Sequence, residues 1–236
     1  MVEQALILAA GLGSRLHHMT QDIPKALVKA KGIPILKRQI DSLFKNNIEE
    51  INIVCGYKKE IILDFIHKEY KSSVIKFNFI SNDNFESTNS AYSFWLANEY
   101  IGARDFIHMN CDNIFGSNVI NALLNNPAKN VIVGRKQALS DNMEQVELDS
   151  NNMILRMDNK QFDEATMKAM GVAKISTELC SYLYSQINDQ INAGDTNTNF
   201  YGAIREAVSH YHIYSIDLTD QVFEINTLDE YEDMHS

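Results

Sequence analysis

Apolar residues occur in short runs that alternate with amphipathic segments over the first half of the chain. Continuous or alternating apolar runs predict four strands, of which the first two are apolar enough to be buried on both faces. These predicted strands are 5–9, 51–55, 74–80 and 105–109. Between them, apolar residues at helical spacing predict helices around 36–44, 62–66 and 89–100.

Strands that alternate with helices predict an α/β fold, with a mostly parallel central sheet and helices on both faces. In such sheets the ligand lies at the carboxyl ends of the strands. Gly11 and Asp112 both come just after predicted strands. We therefore expect these two residues to lie on the same edge of the sheet.

The pattern changes from residue 131 onward. Short strands with few helices between them predict a smaller, strand-rich region that forms the second wall of a cleft; they are 131–133, 145–148, 154–157 and 172–175. Two helices (177–192 and 199–209), a strand (222–225) and a short final helix follow. No repeat or linker interrupts the chain, so we expect one domain over 1–236, with a core of 1–130 and a second region of 131–236 that returns to the core.

Composition excludes several classes of partner. The 236 residues carry a formal net charge of −10, which argues against a general electrostatic grip on nucleic acid or on an anionic membrane. No run of eighteen apolar residues predicts a membrane span. Cys55, Cys111 and Cys180 are widely spaced, which is typical of reduced thiols and predicts a cytoplasmic protein.

The strongest local motif is a glycine-rich loop directly after the first predicted strand. Segment 8–16 reads Leu-Ala-Ala-Gly-Leu-Gly-Ser-Arg-Leu, and Pro-Lys-Ala-Leu follows at 24–27. Glycines let backbone amides approach a polyphosphate closely, because no Cβ intervenes. Arg15 offers a planar fork and Lys25 a point charge to phosphate oxygens. The loop predicts a polyphosphate site, with an ordinary tight turn as the alternative.

Two widespread phosphate loops do not fit this segment. A Walker A loop ends in Gly-Lys-Ser/Thr, whereas this loop ends Gly13-Ser14-Arg15. A dinucleotide-binding fingerprint requires a third glycine at position 16, which is Leu16.

The glycine-rich segment 8–16, together with Pro-Lys-Ala-Leu at 24–27, resembles the signature of the sugar-nucleotide pyrophosphorylase superfamily. Members of this superfamily are nucleotidyltransferases with a Rossmann-like core. Segments 54–57 (Val-Cys-Gly-Tyr) and 88–95 (Thr-Asn-Ser-Ala-Tyr-Ser-Phe-Trp) resemble its small cytidylyltransferases. The resemblance implies Mg²⁺-dependent transfer of CMP from CTP to a small acceptor, with release of pyrophosphate, in the synthesis of cell-surface precursors. The implied acceptor is a phosphocholine-, aminoethylphosphonate- or polyol-phosphate-like molecule.

Three alternatives stay open on the sequence. A sugar-1-phosphate nucleotidyltransferase that uses UTP, dTTP or GTP shares the chemistry. A non-catalytic nucleotide sensor would be expected to lose the cationic or metal-binding positions, yet Arg15, Lys25 and Asp112 are all present. A glycosyltransferase of related fold usually has Asp-x-Asp after the central strand, and 112–114 lacks the second acid.

The resemblance also implies residue roles. Arg15 and the loop amides hold the leaving pyrophosphate, Lys25 lies near the α-phosphate, and Asp112 binds Mg²⁺. The second metal ligand is Asn226 or, failing that, Glu224. The remaining nucleotide-binding residues are Leu8, Ala9, Ala10, Gly11, Leu12, Gly13, Ser14, Gly56, Tyr57 and Asn89.

On the acceptor side the predicted residues are Tyr92 and Lys160. Several of these residues have a purely structural alternative. Asp112, Asn89 and Asn226 could each cap the helix that follows. Tyr92 at helical spacing from Trp95 could belong to a core stripe, and Lys160 could be a solvated surface lysine.

Overall fold

The computed structural model describes residues 2–235. Its strands are β1 (Gln4–Ala9), β2 (Lys29–Ala30), β3 (Ile33–Pro34), β4 (Glu50–Cys55), β5 (Lys76–Ser81), β6 (Phe106–Asn110), β7 (Asn113–Phe115), β8 (Val131–Arg135), β9 (Gln145–Leu148), β10 (Ile154–Asp158), β11 (Met167–Ile175), β12 (Tyr214–Asp217) and β13 (Val222–Glu224). Its helices are α1 (Ile35–Phe44), α2 (Lys59–Glu69), α3 (Ser90–Leu96), α4 (Asn98–Ile101), α5 (Ser117–Asn125), α6 (Thr177–Asn192), α7 (Phe200–Ala207) and α8 (Leu228–His235). Two 3₁₀ turns cover Ser14–Thr20 and Lys25–Leu27.

A mixed central sheet organises the molecule. Its order is β10-β9-β11-β6-β1-β4-β5, and β8 pairs with both β11 and β12. β1 runs parallel to β4 and β6, and β5 runs parallel to β4. β11 is antiparallel to β6, β8 and β9. The α/β fold predicted from the sequence is confirmed, with a parallel first half and a largely antiparallel second part.

Helices cover both faces of the sheet, which explains the continuous apolar run of β1. Leu6 and Leu8 pack on one face with a cluster that includes Phe94, whereas Ala5 and Ile7 pack on the other face. Ala5, Leu6 and Ile7 are each 0% exposed. The C-terminal end of this rigid strand opens directly into the glycine-rich loop, so the loop starts from a well-anchored point.

Several elements differ from the sequence prediction. The helix predicted at 89–100 is interrupted at Ala97, so that α3 and α4 replace it. β11 begins at residue 167, five positions before the predicted start at 172. β12 was not predicted, because its sequence Tyr-Ser-Ile-Asp contains no apolar run, and its one buried residue is Ser215. Within residues 2–235, no helix combines the length and the apolar character needed to cross a membrane.

Candidate functional site

Two adjoining cavities open at the carboxyl ends of β1 and β6, where the sequence predicted a site. The first has a volume of about 310 Å³ and the second about 420 Å³. The residues lining both cavities are Arg15, Ser90, Asn110, Asp112 and Asn226. Two compartments that share one polar wall can hold two reactants side by side.

The glycine-rich loop forms one wall of the first cavity. Gly13 has φ +66°, in the left-handed region that favours glycine, and a Cβ there would lie 3.0 Å from the Lys25 Cβ. Behind the loop, Thr20 Oγ1 donates to the Gly13 carbonyl at 3.0 Å, and Leu16 is fully buried. The loop conformation is therefore held by local bonds and by one apolar anchor.

Gly56 and Tyr57 support this loop from behind. The Tyr57 amide donates to the Ala10 carbonyl at 2.9 Å, and the Tyr57 hydroxyl lies 3.0 Å from the Thr20 carbonyl oxygen. A Cβ on Gly56 would lie 2.7 Å from the Ala10 carbonyl oxygen and 2.7 Å from the Phe85 Cβ. Both residues thus contact the loop backbone and do not line either cavity.

Lys25 lines the first cavity beside the wall that the two cavities share, and it is 9% exposed. Its Nζ donates to Asp112 Oδ2 at 2.8 Å and to Asn226 Oδ1 at 3.0 Å. Arg15 donates to the same Asn226 oxygen at 2.9 Å. The predicted catalytic cations therefore converge with two of the predicted metal ligands.

A short antiparallel pair, β7 with β13, brings the two ligand segments together. Glu224 pairs in register with Asn113, and the Ile225 amide donates to the Asp112 carbonyl at 3.1 Å. The helix after β7 begins at Ser117 with Gly116 as its N-cap. The capping alternative for Asp112 is therefore wrong, because its side chain faces Lys25 instead.

The structure also decides between the two alternatives for Asn226, a metal ligand or the N-cap of the following helix. Thr227 Oγ1 accepts from the Glu230 amide at 3.3 Å, and the Glu230 carboxylate accepts from the Thr227 amide at 3.2 Å. This reciprocal pair is a capping box, so Thr227 caps α8. The capping alternative for Asn226 is wrong, and its side-chain oxygen is directed at Arg15 and Lys25.

Glu224 belongs to a second ion pair behind Asn226. Its Oε2 accepts from Lys168 Nζ and, at 2.8 Å, from Asn226 Nδ2. Burial and the charge of Asp112 raise the pKa of the Glu224 carboxyl above its ordinary value despite this pair. For Asp112, burial alone would raise the pKa, but Lys25 and Lys168 outweigh burial and hold that pKa below its ordinary value.

Polar side chains after β5 complete the first cavity. Asn82 is 2% exposed, and its Nδ2 donates to Thr88 Oγ1 at 3.1 Å and to Ser93 Oγ at 3.0 Å. Asn89 lines the same cavity, and its Oδ1 accepts from the Ser90 amide at 2.8 Å as the cap of α3. Asn89 is thus a helix cap that also lies at the cavity wall, and its nucleotide-binding role stays a prediction.

The second cavity is rich in carboxylates. Its charged lining residues are Asp112, Asp141, Glu144, Glu224 and Glu230, with Arg15 and Lys168 as cations. Glu144 Oε2 has no hydrogen-bond partner among the described residues and lies 3.4 Å from Arg205 Nε. Burial raises the pKa of Glu144. Tyr201 is the single aromatic residue among the described lining residues, and its hydroxyl donates to the Met170 carbonyl at 2.6 Å.

Some predicted site residues lie outside both cavities. Tyr92 packs beside Trp95, with ring centroids 5.6 Å apart, and Trp95 Nε1 donates to Asn188 of α6. Lys160 is exposed, and its amide donates to Asp158. Neither Tyr92 nor Lys160 lines a cavity, so their acceptor role stays a prediction that the geometry does not favour. Ala9 and Leu12 also lie outside the lining.

Conversely, sequence reasoning missed several lining residues. Asn82 follows directly on β5, and its position after a parallel strand was a usable signal. Lys168 and Gly171 lie within antiparallel β11, where no local pattern marks a site residue. A Cβ on Gly171 would lie 2.5 Å from Asn110 Nδ2, so glycine leaves room for the shared wall.

The oxygens around Lys25 also suit a hard divalent cation. Asp112 Oδ2 and Asn226 Oδ1 both lie within 3.0 Å of one ammonium, so they converge on a single positive charge. Carboxylate and amide oxygens are ligands for Mg²⁺, which keeps several waters and needs few protein ligands. Among residues 2–235, no group of three or more His, Cys, Asp or Glu side chains is placed to hold a metal.

Comparison with known proteins adds independent findings. A family model described as nucleotidyl transferase matches residues 4–170. Choline-phosphate cytidylyltransferase of Haemophilus influenzae is 27% identical over 231 residues, which are 96% of this chain and 94% of that protein. UTP–glucose-1-phosphate uridylyltransferase of Haloferax volcanii is 37% identical over 116 residues, which are 49% of this chain and 46% of that protein.

The fold is also similar to solved structures. The structure of CTP:phosphocholine cytidylyltransferase from Streptococcus pneumoniae matches with a TM-score of 0.79 and 21% identity, over 99% of this chain and 98% of that chain. At this identity the likeness concerns the fold.

Proposed function

Because the chain belongs to the nucleotidyl transferase family, we propose that it transfers CMP from CTP to the phosphate or phosphonate oxygen of a small amine-bearing acceptor. The observation that carries this proposal is the meeting of Lys25, Arg15 and Asp112 where the two cavities join. CTP as donor is supported by the cytidylyltransferase that matches nearly the whole chain.

In this proposal the first cavity holds the nucleotide. Loop amides from Ala10 to Ser14 and the Arg15 guanidinium bind the β- and γ-phosphates, which leave as pyrophosphate. Asn89 offers its side-chain amide to the base or ribose, whereas the amide hydrogens of Asn82 are used by Thr88 and Ser93 and hold this wall in place. Lys25 lies beside the shared wall, where the α-phosphate would meet the acceptor.

The reaction requires positioning more than acid–base chemistry. An acceptor oxygen attacks the α-phosphorus, the bond from the α-phosphorus to the bridging oxygen breaks, and pyrophosphate leaves with the bond electrons. The attacking oxygen is already anionic near neutral pH, so no general base is needed. Lys25 stabilises the charge that develops on the α-phosphate, and Arg15 stabilises the leaving group.

We propose that Asp112 and Asn226 hold Mg²⁺, because their oxygens already converge on one positive charge. Bound Mg²⁺ would neutralise charge on the phosphate oxygens. Glu224, the alternative ligand, uses its Oε2 to accept from Lys168 and Asn226, so its role is to orient the Asn226 amide.

The charge of the second cavity supports an acceptor with a cationic amine. Its carboxylates outnumber its cations five to two among the described lining residues. Asp112 and Glu224 are paired with lysines, Glu144 is paired with Arg205, and the Glu230 carboxylate accepts from the Thr227 amide. The Glu144 side chain also lines the cavity, so its negative charge can attract an ammonium group there although Arg205 lies 3.4 Å away. Because Arg15 is assigned to the leaving pyrophosphate, Lys168 is the cation of this cavity that remains for the acceptor phosphate.

A substrate panel tests the proposed function. Pyrophosphate release with Mg²⁺ would be measured for CTP, UTP, dTTP, GTP and ATP against aminoethylphosphonate, phosphocholine, inositol phosphate, glycerol phosphate and glucose-1-phosphate. We expect turnover with CTP and an amine-bearing acceptor, because the acidic cavity attracts the ammonium group. Turnover confined to UTP, dTTP or GTP with glucose-1-phosphate would instead favour the sugar-1-phosphate reaction.

That second candidate rests on one observation, the uridylyltransferase that matches 49% of the chain. It uses the same Lys25 and Arg15 chemistry with another donor and acceptor. Nucleotide binding without any turnover across the panel would instead favour a sensor.

Glu144→Gln tests the amine subsite. We expect the KM for aminoethylphosphonate to rise about tenfold or more, since a charged hydrogen bond contributes about 1.5–3 kcal/mol. The KM for phosphocholine should rise less, because its quaternary ammonium has no N–H to donate. The KM for glycerol phosphate, which carries no ammonium, should not change. A parallel rise for aminoethylphosphonate and glycerol phosphate would show that Glu144 acts through Arg205 and the cavity shape, and would argue against ammonium recognition.

A further inference from the structure

A third cavity lies on the other side of the Lys168–Glu224 pair. It has a volume of about 540 Å³, which is within the size range of small-molecule sites. Its walls combine basic side chains, including Arg38 and Arg135, with an apolar surface from Ile114, Met170 and Phe223. Glu224 and Glu230 also line it, but Glu224 is paired with Lys168 and the Glu230 carboxylate accepts from the Thr227 amide.

Two guanidiniums in this cavity lack charged partners. No carboxylate of the described residues forms an ion pair with Arg38 or Arg135. The Nε atoms of both side chains are buried without a hydrogen-bond partner in this part of the chain. Arg38 Nη2 donates to the Ala30 carbonyl at 2.8 Å, and Arg135 lies 4.7 Å from the Phe223 ring centroid. Buried donors of this kind are costly unless an acceptor binds them.

The strand register is a second, independent indication that an anion binds here. Arg135 on β8 is the direct antiparallel partner of Lys168 on β11. Like charges directly opposite each other on one face of a sheet are destabilising. Lys168 is compensated by Glu224, whereas Arg135 is not. In a protein with a net charge of −10, such an arrangement is unexpected unless an anion neutralises it.

We propose that this cavity binds the phosphate group of a small anionic metabolite. The guanidiniums of Arg38 and Arg135 grip the phosphate, because their planar forks match its oxygens. The body of the ligand lies against Phe223, which is 38% exposed, and Met170. This site is separate from the reaction cleft, since neither arginine lines the two cavities there.

Occupancy would reach the reaction site through Lys168, which with Glu224 and Glu230 lines both this cavity and the second cavity of the cleft. The Lys168 Nζ donates to Glu224. Glu224 in turn accepts from the Asn226 amide. An anion that attracts Lys168 would weaken its bond to Glu224, so binding at the two sites is coupled.

Isothermal titration of the full chain with inorganic phosphate tests the site without any turnover. We expect an Arg38→Gln, Arg135→Gln double variant to bind phosphate about tenfold more weakly or worse, since charged hydrogen bonds are lost. Arg15→Gln should weaken only phosphate that binds in the reaction cleft, and it should keep the binding that the double variant loses. The surface control Lys129→Gln should retain the wild-type affinity. Lys129 is 71% exposed in its side chain and pairs with Glu178.

Thermal unfolding without phosphate shows whether a variant binds phosphate more weakly only because it is less well folded. The Arg135→Gln single variant should melt at the wild-type temperature or above it, because a repulsion with Lys168 is removed. Weaker phosphate binding by a variant with wild-type melting supports the site. Phosphate binding that is lost in Arg15→Gln but kept in the double variant would place the anion in the reaction cleft and overturn the proposal. Because no substrate is turned over, this result does not depend on the proposed reaction.

Discussion

Lys25→Ala is expected to lower kcat by about 10²–10³-fold, which is the typical cost of losing one positioned charge donor. The physical reason is the position of its ammonium, 2.8 Å from Asp112 and 3.0 Å from Asn226, beside the wall that the two cavities share. The measurement is steady-state pyrophosphate release with CTP and the best acceptor of the panel. The KM values should change less than kcat, because the lost interaction is strongest in the transition state.

Two controls separate chemistry from structure. Lys129→Ala removes an exposed lysine and should leave kcat unchanged. Circular dichroism and thermal melting report whether Lys25→Ala still folds, since the change also removes the closest cation from the half-buried Asp112 carboxylate. A folded Lys25→Ala protein with kcat within about threefold of the wild type, a change worth about 0.7 kcal/mol, would refute the proposed role.

Gly56→Ala is expected to damage stability and activity together. Its new Cβ would lie 2.7 Å from the Ala10 carbonyl oxygen and from the Phe85 Cβ, so the backbone of the loop must shift. Overpacking of this kind typically lowers the free energy of unfolding by about 1–3 kcal/mol. A displacement of the loop by about 1 Å can cost about 10²-fold in rate. Denaturant unfolding and pyrophosphate release measure the two effects.

Gly11→Ala is the matched control for this prediction. Gly11 lines the first cavity, yet no atom lies within 4 Å of its Cβ position and its φ is outside the left-handed region. The free energy of unfolding should therefore stay near the wild-type value, while the KM for the nucleotide rises because the methyl group takes space beside it. If Gly56→Ala has the wild-type free energy of unfolding and the wild-type rate of pyrophosphate release, the contact between Gly56 and the loop does not position the phosphates.

The glycine-rich loop shows how far a local pattern reaches. Its glycines and the cations Arg15 and Lys25 lie within eighteen residues of one another, directly after a strand that is buried on both faces. Backbone conformation and close approach depend on neighbours in sequence, so this part of the site could be predicted from the chain alone. Gly56 matched a motif too, but its contact is with the loop backbone instead of a cavity.

The helix-capping alternatives show where a local pattern is insufficient. Asn226 and Thr227 both precede an acidic segment that suits a helix start, and the sequence does not rank them. Hydrogen bonds assign the cap to Thr227 and leave Asn226 facing Lys25, 201 positions away in the chain. Tyr92 had the spacing of an aromatic site, but contacts with Trp95 hold it outside the cavities.

The α/β fold and the place of the glycine-rich loop could be predicted from the chain alone, because apolar periodicity and glycine spacing act over a few residues. Which polar side chains face one another depends on tertiary contacts. The β7–β13 pair joins segments more than one hundred residues apart, and β11 places Lys168 opposite Arg135 and against Glu224. Such contacts depend on the register of distant strands, which no local pattern specifies, because a slip of one residue would turn each side chain to the opposite face.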